Sequence, residues 1–135
     1  MTQEEKELLL KDLCARLPYG VMMKGVNEDF ELSTKTSPKR LSYVLNSTDF
    51  KPYLRPMSSM SDEEYAVIYD MCWPKDLEFK ETCGSYWRDF KTKKDIPYFM
   101  YNSNQIDYLT SHHFDYRGLI SKGIALAAPE EMYKN

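Results

Sequence analysis

The chain has 135 residues, 42% of them apolar and 14% aromatic, with a formal net charge of −3. That length suits one domain able to bury a core without metal or disulfide, and that hydrophobicity excludes a disordered segment. The acidic balance removes any global field that would draw the chain to phosphate, and no apolar run approaches the roughly 20 residues of a membrane span.

The opening Met1-Thr-Gln-Glu-Glu-Lys6 is polar and acidic, unlike a secretion signal. Cys14, Cys72 and Cys83 are odd in number and lack C-x-x-C spacing, so they read as reduced thiols of a cytoplasmic protein. Eleven tyrosines suit half-buried seams and contact surfaces, because each has an apolar body and a polar tip.

In chain order, Thr2 with Glu5 has the form of a capping box, and Leu9, Leu10, Leu13, Cys14 and Leu17 follow as a helical stripe. Helix is expected over residues 3–16, stopped before Pro18. From Tyr19 the period changes. Tyr19–Lys24 and Phe30–Thr34 read as short strands across a turn at Gly25–Asp29, and Arg40–Asn46 alternates as a third. Lys51–Pro56 is flanked and interrupted by proline, so a strand there must be short or at an edge.

Met60-Ser-Asp-Glu-Glu-Tyr65 carries a second capping box, Ser61 with Glu64, framed by a hydrophobic staple of Met60 and Tyr65. Tyr65, Ile68, Tyr69 and Cys72 continue at helical spacing until Trp73-Pro74. Leu77–Lys80 and Tyr86–Phe90 read as a hairpin through Cys83-Gly-Ser85. Asn102 or Ser103 then caps a helix carrying Ile106, Leu109 and His113. Asp115 caps a further short helix through Leu119 and Ile120, ended by Gly123 in a left-handed conformation, and Pro129 closes the ordered part.

The whole, residues 1–135, is expected to be a single α+β domain. Its parts are an N-terminal helix, a small antiparallel sheet or partly closed barrel, a middle helix and a C-terminal helical unit packed on the sheet.

Three stretches carry a family likeness: Leu17-Pro-Tyr-Gly-Val21, Lys51-Pro-Tyr-Leu-Arg-Pro-Met-Ser-Ser-Met60, and His113-Phe-Asp-Tyr-Arg-Gly-Leu-Ile120 followed by Ala125–Pro129 and Met132-Tyr133. They resemble a large group of short uncharacterised proteins encoded by gut anaerobic bacteria and by their phages and mobile elements. The resemblance covers both ends and the centre but not residues 22–50 or 75–101. It implies a bacterial or phage accessory protein and no particular mechanism, cofactor or catalytic residue.

Chemical motifs are sparse. His112 and His113 are adjacent, so on a helix they point about 100° apart and do not share one metal; the plain reading puts His113 on the core side and His112 in solvent. Asp115 is placed to orient an imidazole or simply to cap. Cys83, before a glycine in a turn, is the best-placed thiol, whereas Cys14 and Cys72 fall on stripes that face the core. The five glycines are scattered singly, so no phosphate-binding loop is present.

One candidate patch remains, Tyr86, Trp87, Arg88, Lys91, Lys93 and Lys94, whose aromatics and cations suit single-stranded nucleic acid. The leading expectation is a non-enzymatic module that binds another protein, with no catalytic, cofactor or metal residue. Nucleic-acid binding through 86–94 is the alternative, disfavoured by net charge. An enzyme built on His113, Asp115 and a thiol comes third.

Overall fold

The computed structural model describes residues 2–47, 50–71 and 101–133. Helix α1, Gln3–Arg16, begins at the expected capping box: Thr2 Oγ1 accepts from the Glu5 amide at 3.1 Å, and Glu5 accepts from the Thr2 amide at 2.9 Å. Its buried face is Leu9, Asp12, Leu13 and Arg16, the i, i+3, i+4, i+7 stripe of a helix seated on a core. Cys14 lies about 100° from Leu13 around the axis and is exposed, contrary to the expected core position.

Four strands follow among the described residues: β1 (Val21–Lys24), β2 (Phe30–Leu32), β3 (Lys51–Leu54) and β4 (Leu126–Ala127), in the order β2-β1-β3-β4. β1 is antiparallel to β2 and β3, while β4 runs parallel to β3, so the sheet is open and mixed rather than wholly antiparallel or closed. β3 is short, as its prolines require, yet interior. Pro52 stands opposite Met23, and its missing N–H faces away from β1, toward a neighbour that begins only opposite Tyr53.

Residues 40–46 are helical, not a third strand. Helix α2, Pro38–Asn46, is capped by Ser37, whose hydroxyl accepts from the Arg40 amide at 3.3 Å, with Pro38 in the first turn where its missing donor costs nothing. Leu41, Val44 and Leu45 pack inward at helical spacing, and Tyr43 turns out, 65% exposed. The alternation of Leu41, Tyr43 and Leu45 had the period of a strand; the cap decides the matter.

After a 3-10 turn at Met57–Ser59, α3 spans Asp62–Asp70, with Ser61 and Glu64 exchanging the capping-box hydrogen bonds at 3.0 and 3.1 Å. Met60 and Tyr65 join the same cluster, as a staple should. Helix α4, Ser103–Ser111, is capped by Asn102 with Gln105 reaching back. His113 lies beyond its end with φ +67°, so it is not on the helical stripe. Asp115 does satisfy two backbone donors, the amides of Leu119 and Ile120 at 2.8 and 2.9 Å, but across turns rather than a helix. Gly123 takes the expected left-handed conformation at φ +76°. The chain stays structured past Pro129, through a further turn to Tyr133.

Two apolar clusters result. One joins α1, α2 and a face of the sheet to Leu119, Ile124 and Ala125; the other joins α3 and α4 to Phe114 and Tyr116. The fold is therefore α+β, with an N-terminal helix and a helix after the sheet. Among the described residues no helix is long and apolar enough to cross a membrane.

Candidate functional site

The expected C-terminal constellation turns out to be held by α1. Arg16 and Asp12 are both fully buried and form a two-pronged pair, Nε to Oδ2 at 2.7 Å and Nη2 to Oδ1 at 3.1 Å. Arg16 Nη2 also donates to the Phe114 carbonyl at 2.7 Å, and Arg117 Nη1 reaches Asp12 at 3.2 Å. Both guanidinium groups lie over the Tyr116 ring, at 5.3 and 5.1 Å from its centroid. Arg117 thus pairs with Asp12, 105 residues away, rather than with Asp115. A buried ion pair of this kind depends on the hydrogen bonds around it, and those made by Arg16 Nε and Nη2 tie the first helix to the last block, while its Nη1 has no partner among the described residues. Arg16 and Asp12 gave no signal in sequence beyond an Asp and Arg four apart on a helix.

The two histidines occupy different environments. His112 stacks on Tyr108, centroids 3.9 Å apart, and its Nδ1 lies 2.9 Å from the Tyr108 carbonyl, an acceptor that makes Nδ1 the donor. His113 stacks on Tyr133, centroids 3.8 Å apart and planes 12° apart, with its buried Nδ1 unpartnered among the described residues. Burial, then the Arg16 charge, hold the His113 imidazolium down to a pKa of about 4, so the ring is neutral at pH 7. Asp115 spends both carboxylate oxygens on backbone amides and orients neither imidazole.

Beside His112 opens a polar cleft of about 470 Å³, walled by Arg55, Ser59, Ser61, Glu64, Glu130 and Tyr133. At its side Arg55 grips Glu64 through two bonds of 2.8 Å and lies 4.1 Å over the Phe114 ring. Burial pushes the Glu64 carboxyl up, but Arg55 and the Ser61 amide outweigh it and hold it at about 2. The cleft's strongest charges are thus already matched to each other. Among the described residues that line the cavity, no acid–base pair with separated protonation tendencies is found.

A second concavity differs in character. Between α1 and α2 runs a groove of about 290 Å³, floored by Leu9, Leu10, Leu13, Val44, Leu45 and Phe50 and rimmed by Gln3, Lys6, Glu7, Asn46 and Ser47. Leu10 is 43% exposed, and the exposed Tyr43 ring meets Phe50 edge-on at 5.7 Å. The helical stripe read from sequence includes Leu10, but its side chain is not in the buried core. It belongs instead to the shoulder of the α1 stripe that α2 leaves uncovered.

Tyr86, Trp87, Arg88, Lys91, Lys93 and Lys94 lie outside the described residues, as do Cys72, Cys83 and the hairpin expected over 77–90. Among the described residues no cluster of three or more His, Cys, Asp or Glu side chains could hold a metal ion, and no hydrogen bond joins Cys14 to either histidine. No family model, curated protein or solved structure matches this chain.

Proposed function

We propose that this protein is a non-enzymatic binding module that takes an amphipathic helix of a partner protein into the groove between α1 and α2. The observation that carries the reading is the groove itself: an apolar floor that includes the part-exposed Leu10, mixed-charge edges, and the exposed Tyr43 ring beside it. Its volume, about 290 Å³, suits a pair of anchor side chains one helical turn apart, the helix-in-groove mode of recognition. Lys6 and Glu7 on the rim offer partners of either sign to the polar face of such a helix. The matched Arg55–Glu64 pair and the engaged Asp115 support a non-catalytic role for the polar residues of the C-terminal half.

The likeness of Lys51–Met60 and His113–Ile120 to proteins of gut bacteria and their phages supports an accessory role in a bacterial or phage-infected cytoplasm. Single-stranded nucleic acid, held by the aromatic-basic stretch 86–94, is the lesser reading, because the net charge is −3.

The test is a charge placed on the groove floor. Leu10→Glu should reduce the partner retained by the full chain about tenfold or more, since a carboxylate buried against an apolar helix has no compensation. Val26→Glu, at a 79% exposed site in the β1–β2 turn, should retain the partner fully. Equal retention by both variants would remove the groove as the contact surface.

A further inference from the structure

The β1-facing edge of β3 changes neighbours along its length. At one end Lys51 pairs with Lys24 of β1. Two residues on, the Tyr133 hydroxyl donates to the Tyr53 carbonyl at 2.7 Å, and the hydroxyl oxygen in turn accepts from the Met22 amide at 2.9 Å. Two residues further, the Arg55 amide donates to the His113 carbonyl at 2.7 Å, and the Arg55 carbonyl accepts from Asp115 at 2.9 Å. The register places Met22 opposite Tyr53, so the phenol stands where a direct rung of the antiparallel ladder would fall. Tyr133 is a wedge in a fork, and the ring it rests on is His113, held at φ +67° where a side chain is rarely found.

We propose that the turn after Pro129 is an acid-released strap: neutral His113 holds Tyr133 in the fork between β1 and β3, and protonated His113 lets it go. The charged groups acting on the His113 ring are Arg16 of α1, Arg55 after β3 and neighbouring His112, all of them cationic or able to become so. The carboxylates of Asp12 and Glu64 are engaged by Arg16 and Arg55, and Glu31 of β2 acts on Tyr133 instead. An imidazolium would therefore be half-buried among like charges, its Nδ1–H without an acceptor among the described residues. Attraction to the Tyr133 face does not offset that loss of solvation.

The sign follows from proton linkage. His113 takes its proton more readily once released, with an ordinary value of 6.5 against about 4 when strapped. The strap is fully held above pH 6.5 and weakens as pH falls from there toward 4. Burial pushes the Tyr133 phenol up to about 12, so its hydroxyl remains a donor throughout. Release removes Glu130 and Tyr133 from the wall of the polar cleft and widens it beside the Arg55–Glu64 pair. The His113–Asp115 segment keeps Arg55 occupied, so β1 does not close on β3, and the Met22 amide is left to solvent.

Hydrogen exchange and NMR on the full chain test this together. Relative to intrinsic rates, protection of the Met22 amide should fall about 100-fold between pH 7 and pH 4, while Leu13 in α1 keeps its own. Linkage is reciprocal, so Tyr133→Ala should raise the His113 imidazole titration midpoint by at least one unit toward its ordinary value. Constant Met22 protection, its loss together with that of Leu13, or an unchanged His113 midpoint in Tyr133→Ala would each overturn the strap.

Discussion

Asp12→Ala removes the carboxylate that Arg16 and Arg117 share, and should be among the most destabilising single changes in this chain. Asp12 and Arg16 are both fully buried, so the variant strands a guanidinium whose solvation has already been given up. Breaking a buried pair from one side costs about 3–5 kcal/mol, against a total stability on the order of 5–15 kcal/mol for a domain. With a urea dependence of about 2 kcal/mol per molar, the denaturation midpoint should fall by about 2 M. The double variant Asp12→Leu with Arg16→Met distinguishes a buried pair from simple packing loss. It removes both charges, leaves the Phe114 carbonyl short of a donor, and should be more stable than Asp12→Leu alone. A midpoint shift below about 0.5 M for Asp12→Ala, the range of an exposed ion pair, or additive effects in the double variant, would refute the reasoning.

Other outcomes follow from the same contacts. Leu119→Ala should cost roughly 2–5 kcal/mol by urea titration, because its side chain is fully buried in the core that joins the last block to α1 and the sheet. Ser61→Ala should cost about 1 kcal/mol through loss of the acceptor for the Glu64 amide, and an unchanged midpoint would deny Ser61 its cap. Cys14 should react with a thiol reagent in the native protein at close to the rate seen in denaturant, since it is exposed on α1; strong native protection would contradict that placement.

What sequence made legible here is what is encoded locally. Thr2 with Glu5 and Ser61 with Glu64 each specify a helix start within four residues, and both are present; of Asn102 and Ser103, the two expected caps of the later helix, Asn102 is the one used. β1 and β2 lie next to each other in the chain and their turn announces them. The misreadings have physical causes. Residues 40–46 fit both periods, and only the Ser37-Pro38 start separates them. α1 was rotated by about one residue, because a stripe drawn through leucines and Cys14 ignores that its buried face includes the charged Asp12 and Arg16.

The parallel pairing of Leu126–Ala127 with β3 and the reach of Arg117 to Asp12 depend on segments about 70 and 105 residues apart. No local pattern announces such contacts. Tyr133 is the sharpest case: four residues past a proline that seemed to end the structure, it completes the sheet.

The central functional claim is that a partner helix lies along α1 and α2, and site-specific photo-cross-linking tests it most directly. A benzophenone side chain at position 10, on the groove floor, should capture one discrete protein in the cells that express this chain, and the captured peptide should be amphipathic with apolar anchors at helical spacing. The same probe at position 26, in the exposed β1–β2 turn, should capture none of it. Capture of the same protein from position 26 but not from position 10 would place the contact surface elsewhere and contradict the account.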